Sequence, residues 1–335
     1  MEEIAQEMPG AFLPSRGEKK WFRNQYNWAG ATLLLQIAVM NIIAIVVMLI
    51  AMTVQAAGSG MTFTEIMALF QDPANLAFLT ILANVAAGLI GYPIVYLIGC
   101  RGLKVRPGSF FKVQNSNAKL VAFGICLIMG VQVVAGWAAV LITELGAQLG
   151  FEFTTFEFDY QDGMVTSILT LVMTCVVAPI FEELIFRGLI LKACSQSSPR
   201  FGILMSAFLF ALFHQNLPQM FFAFPLGLVL GLVAYKAGSI LPAILMHFAV
   251  NFSSMVQQAI FTYYPDAYPA AGGAMTVVFL IAGLAAVVLG RKQLALPKTS
   301  WETKKRTAPL FWSSWAIWLA VVVCLVFTLI SIQIL

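Results

Sequence analysis

Apolar runs of membrane-crossing length recur from residue 29 to the end of the chain, and they leave few folds open. A bilayer core takes about 20 consecutive apolar residues per helix. Only α-helices and closed barrels satisfy every backbone polar group there. Nine segments qualify, at 29–54, 75–100, 120–145, 164–190, 201–216, 219–236, 240–262, 273–290 and 309–334. The fifth and sixth are short and separated only by Asn216-Leu217-Pro218, so a helical hairpin that stops short of crossing is an alternative for them. Charged residues make up 10% of the chain, against about a quarter in soluble domains. The expected fold is an all-α, polytopic transmembrane helix bundle of about eight or nine spans. Its first partner is the lipid bilayer, and no nucleic-acid partner is expected.

Charge in the loops orients the bundle. Arg101, Lys104, Arg106, Lys112 and Lys119 follow the second span, Lys192 and Arg200 the fourth, Lys236 the sixth, and Arg291, Lys292, Lys298, Lys304, Lys305 and Arg306 the eighth. The intervening loops are acidic, with Glu65 and Asp72, then Glu152, Glu157, Asp159 and Asp162, then Asp266. Excess Lys and Arg marks the cytoplasmic side. All basic loops share that side when the N-terminus is cytoplasmic and the C-terminus lies opposite. The polar segment 1–28 lacks the apolar core of a cleavable signal. Cys100, Cys126, Cys175, Cys194 and Cys324 form no CxxC pair and read as reduced and structural, Cys194 in a basic loop. The loop 151–162, aromatic and acidic by turns, reads as a short hairpin or an interfacial segment.

Ionisable groups within spans are costly and are functional candidates by default. The chain has two histidines, His214 and His247, and both lie in spans. The fourth span adds Glu182, Glu183 and Arg187. Residues four apart share a helix face, so Arg187 can pair with Glu183 while Glu182, about 100° round the helix, points elsewhere. One carboxylate is then held and the other is free to act as a base. Phe210 and His214 share a face by the same spacing, as do His247 and Asn251. An imidazole and an amide on one face can form an oxyanion hole. Taken singly, each histidine reads more readily as a hydrogen-bonded core residue. Pro179 can kink the fourth span and free backbone groups nearby. Gly227, Gly231 and Gly238 suggest close helix packing, and Pro242 suits the first turn of a helix. Glu182 lies about 13 Å from the basic end of its span and His247 is similarly deep, whereas His214 falls deeper.

The ordered set Glu182-Glu183-xxx-Arg187, Phe210-xxx-His214 and His247-xxx-Asn251, with the stretch from Pro225 to His247, resembles the CPBP family. That family, also called Abi, joins CAAX prenyl proteases of the Ras-converting type and bacteriocin-processing enzymes. The resemblance covers about residues 164–255 and implies an intramembrane endopeptidase with a four-helix catalytic core. By position it implies that Glu182 and His214 activate water, that His247 and Asn251 stabilise the oxyanion, and that Glu183 and Arg187 hold the site, with Phe210 in support. The implied partner is a peptide or protein at the membrane, either a prenylated C-terminus or a leader peptide, pheromone or bacteriocin. The family is commonly labelled metalloprotease. Zinc held by Glu182, His214 and His247 is one route, with Glu183 as base. A metal-free route uses every one of these residues and is preferred, and no HExxH motif is present. The organisation expected is a cytoplasmic segment 1–28, three N-terminal spans in 29–145, the catalytic core in 164–262 and C-terminal spans in 263–335. Two other functions use the same residues: a non-catalytic peptide-binding or immunity protein, and a proton-coupled transporter. The absence of an internal repeat counts against the transporter.

Overall fold

A computed structural model describes residues 14–112, 117–153, 163–296 and 307–334. Helix α1 (Arg16–Ser59) starts well before the apolar run begins at residue 29. The reason is a capping box, in which Ser15 Oγ accepts from the Glu18 N–H at 3.2 Å and Glu18 Oε2 accepts from the Ser15 N–H at 3.0 Å. The helix ends at Gly60, whose φ of 64° suits only glycine at no cost. A short helix that the apolar runs gave no sign of, α2 (Phe63–Gln71), follows. There the Thr62 N–H and hydroxyl donate to Glu65 and hold its carboxyl below the usual carboxylate range.

The second span is α3 (Pro73–Ala86), a wide π turn at Ala87–Gly91, and α4 (Tyr92–Leu103). Helix α5 (Ala118–Gln148) is the third. The fourth is built in pieces: α6 (Met164–Val172), a π turn at Met173–Val177, α7 (Ala178–Glu183), a π segment at Leu184–Ile190 and α8 (Leu191–Ser195). Cys194 is therefore buried inside a helix rather than placed in a loop. Helices α9 (Pro199–Phe213), α10 (Leu217–Ala237), α11 (Leu241–Tyr263) and α12 (Tyr268–Leu289) follow, then the short α13 (Arg291–Leu294). The ninth apolar run is interrupted: α14 (Pro309–Trp312) breaks from α15 (Trp315–Ile330).

Among the described residues, seven helical runs are long and apolar enough to cross a membrane, and α9 and α15 are shorter apolar helices. The chain is a multi-pass integral membrane protein. Its many large exposed apolar side chains, such as Ile42, Leu49, Val140 and Leu284, are what lipid contact requires. Of the two segments expected to be short, α9 has 15 residues while α10 has 21. The pair packs closely as a hairpin. A Cβ on Gly227 would stand 3.1 Å from Ala207 Cα, so glycine lets the two backbones approach. Gly238 does something else: at φ 61° it ends α10. Helices α5 and α12 cross at Gly130 and Gly283, where a Cβ on the first would lie 2.7 Å from Cα of the second.

Two buried clusters organise the interior. One joins Tyr26 and Leu33 of α1, Tyr92, Phe186, Leu209, Phe210 and Ile317. The other joins Ile128 of α5 with Leu230, Val233 and Met246. The candidate site lies between them. At one end of the bundle, strand β1 (Phe151–Phe153) pairs antiparallel with β2 (Ile332–Ile334), with Phe151 opposite Ile334. The start of the 151–162 loop thus pairs with the C-terminal end; its remainder, 154–162, on which the hairpin expectation falls, lies outside the described residues.

Candidate active site

Glu183 and Arg187 lie four apart across the start of the π segment Leu184–Ile190 and form a fully buried pair, Arg187 Nη1 donating to Glu183 Oε1 at 2.9 Å. Arg187 Nη2 also donates to the Gly227 carbonyl at 3.3 Å. The guanidinium carbon stands 4.3 Å from the centroid of the Phe210 ring. A desolvated cation over an aromatic face gains about 2 kcal/mol.

Glu183 Oε1 carries a second load, accepting from His247 Nδ1 at 2.9 Å. With Nδ1 protonated toward the carboxylate, Nε2 of a neutral His247 is an acceptor, and it donates only when the ring carries both protons. That Nε2 faces Glu182 Oε2 at 3.9 Å. His214 caps α9, and its Nδ1 meets the Phe210 carbonyl at 2.8 Å. A carbonyl only accepts, so Nδ1 carries the proton and Nε2 of the neutral ring is left as an acceptor. Phe210 lies edge to face with both imidazoles, 4.8 Å from His214 and 5.8 Å from His247 between centroids.

Asn251 is placed by a helix irregularity. The π turn Met173–Val177 sends the Ala178 N–H back to Met173 O. The next such bond would join Thr174 O to residue 179, which is proline and has no N–H. The freed carbonyl accepts from Asn251 Nδ2 at 2.7 Å. One amide hydrogen of Asn251 is used in this bond and the other is left over.

Glu182, Phe210, His214, His247 and Asn251 all line one cavity of about 260 Å³. Glu183 and Arg187 stand behind it and hold His247. The remaining wall is largely apolar, with Ile128, Phe222, Leu226, Leu230 and Val250 from α5, α10 and α11. His214 stands at the far end of the 15-residue α9 and still lines the same cavity as Glu182 and His247. Among the described residues, no three His, Cys, Asp or Glu side chains converge as metal ligands. Glu182, His214 and His247 share the cavity without closing into such a set.

Two residues that sequence reasoning passed over belong to the site. Thr174 contributes its backbone oxygen, and Pro179 was the available signal for it. Tyr92 brings its hydroxyl to 3.4 Å from Glu182 Oε1. A tyrosine in an apolar run carries no sequence signal of its own.

Residues 164–253 match the family model described as type II CAAX prenyl endopeptidase Rce1-like. The Rce1-like segment runs from the start of α6 to Ser253, and every one of the seven residues singled out from the sequence falls inside it. The likeness is of this segment to a prenyl endopeptidase family. Helices α1 to α5 and α12 to α15 lie outside it. No curated protein and no solved structure gives a significant match.

Proposed function

We propose that the chain is an intramembrane endopeptidase that hydrolyses a peptide bond of a membrane-attached peptide or protein, using water activated by Glu182 and His214. The observation that carries this reading is the convergence of four polar side chains from three helical segments on one cavity with a mainly apolar wall. Water has two hydrogens, and the site offers two acceptors for them, the Glu182 carboxylate and His214 Nε2. The water oxygen attacks the scissile carbonyl carbon while its proton passes to Glu182. The oxyanion that forms receives hydrogen bonds from the spare Asn251 N–H and from His247 Nε2, the latter in its doubly protonated form. Glu183 orients the ring by accepting from Nδ1. The proton on Glu182 then passes to the leaving amine as the carbon–nitrogen bond breaks. No step here runs through a metal.

The apolar wall suits apolar residues beside the scissile bond. The likeness to CAAX prenyl endopeptidases favours a prenylated C-terminal peptide as substrate class. Alternating loop charge supports a cytoplasmic N-terminus and substrate entry from that side. Comparative peptidomics of membranes carrying the active protein or Glu182→Ala tests the reading. Peptides shortened only by the active protein are expected, and identical peptide sets refute it.

A further inference from the structure

Two side chains outside the family match reach toward Glu182. Tyr92 opens α4 directly after the wide turn Ala87–Gly91. Its ring stacks on Phe181, the residue before Glu182, with centroids 5.4 Å apart and planes 4° from parallel. Its hydroxyl lies 3.4 Å from Glu182 Oε1. The same residue therefore grips both the helix turn and the carboxylate.

Behind Tyr92 stands Gln36 of α1. It is completely buried, its amide has no other hydrogen-bond partner among the described residues, and the Tyr92 hydroxyl is the polar group within its reach. An unpaired buried amide costs several kcal/mol, and a bilayer offers no water to relieve it. Of its neighbours on this face, Leu33 is apolar and fully buried, and the Thr32 hydroxyl is already used on the Trp28 carbonyl. Packing alone is served by a leucine or methionine, so a glutamine here calls for a polar purpose.

We propose that Gln36 and Tyr92 are positioning residues that set the working orientation of the Glu182 carboxylate. The inference rests on Glu182 being the group that acts on water. A phenol has one hydrogen and can also accept. An amide N–H from Gln36 directed at the phenolic oxygen leaves the hydroxyl hydrogen for Glu182 Oε1. With Oε1 held, Oε2 is the oxygen that faces His247 Nε2 at 3.9 Å. The final torsion of a glutamate is broad, so without the hydroxyl neither oxygen has a fixed address. On this view the N-terminal helices complete a site whose reacting groups all lie in the matched segment.

The test uses purified full-length protein in liposomes and a quenched fluorescent peptide carrying a farnesylated cysteine near its C-terminus. Tyr92→Phe keeps the ring stacked on Phe181 and removes only the hydroxyl. It is expected to lower kcat about 10-fold to 100-fold, the scale of one hydrogen bond to a charged group, with KM within about 2-fold and thermal unfolding little changed. Gln36→Leu is expected to lower kcat less, and the double variant to be no slower than Tyr92→Phe, because Gln36 acts through Tyr92. Tyr92→Phe added to Glu182→Gln is expected to change nothing further. A purely structural tyrosine moves unfolding and not this pattern. Wild-type kcat in Tyr92→Phe, alongside loss of turnover in Glu182→Gln, overturns the positioning role and leaves the base assignment intact. Independent, additive losses for Gln36→Leu and Tyr92→Phe overturn the Gln36 step. Wild-type turnover in Glu182→Gln, or no cleavage by the wild type, removes the functional reading underneath.

Discussion

Replacing Arg187 by alanine tests how the site is held together. The change removes the 2.9 Å bond to Glu183, the 3.3 Å bond to Gly227 O and the contact with Phe210 at once. It leaves Glu183, with no exposed side-chain surface, facing only His247. Removing one partner of a buried ion pair typically costs about 3–5 kcal/mol, most of it from the charge left behind. At roughly 1.4 °C per kcal/mol for a chain of this length, the melting temperature in detergent falls on the order of 5 °C. Activity falls too, because Glu183 then has lost the charge that fixes its hold on His247. The double variant Glu183→Leu/Arg187→Met removes both charges and replaces them with apolar groups of similar size. It is expected to regain most of the stability and none of the activity, since His247 Nδ1 has lost its acceptor. Thermal unfolding followed beside turnover separates the two effects. Unchanged melting in Arg187→Ala, or full activity in the double variant, refutes the reasoning.

Three further outcomes follow from the same geometry. Asn251→Ala should lower kcat by about 10²–10³-fold with KM little changed, as loss of an oxyanion donor does; a KM increase at constant kcat shows uniform substrate binding instead. Purified protein treated with a strong chelator and dialysed should keep its activity and hold well under about one zinc per chain on the metal-free route; stoichiometric zinc whose removal and return track activity contradicts it, and the Glu182, His214 and His247 ligand set then returns. Gly130→Val should separate α5 from α12, because even a Cβ there meets Gly283 Cα at 2.7 Å, and lower melting by the amount of an overpacked contact, about 1–3 kcal/mol; unchanged melting contradicts the close crossing.

The apolar runs marked the helices because bilayer length leaves them no other form, and the i,i+4 spacing marked the Glu183–Arg187 pair because it is local. What depends on helix irregularity was harder to read. The π turns around α7 have no sequence signature beyond Pro179, yet they free the Thr174 carbonyl for Asn251. That His214, at the far end of α9, meets Glu182 and His247 in one cavity could not be read from helix length. Contacts distant in sequence left no trace at all: Tyr92 with Glu182, His247 with Glu183, and the pairing of Phe151–Phe153 with Ile332–Ile334. The start of α1 at Arg16 was missed because its first turns are polar and its signal was a capping box rather than hydropathy.

The most direct test is single-turnover cleavage by Glu182→Gln, with folding checked by thermal unfolding. Glutamine keeps the shape of the side chain and can still accept from the Tyr92 hydroxyl, but it cannot take a proton from water. A general base is worth about 10²–10⁴-fold, so a folded variant should lose that factor in the chemical step and keep its affinity for the peptide. Cleavage at the wild-type rate by the folded Glu182→Gln protein contradicts the assignment of Glu182 as the base.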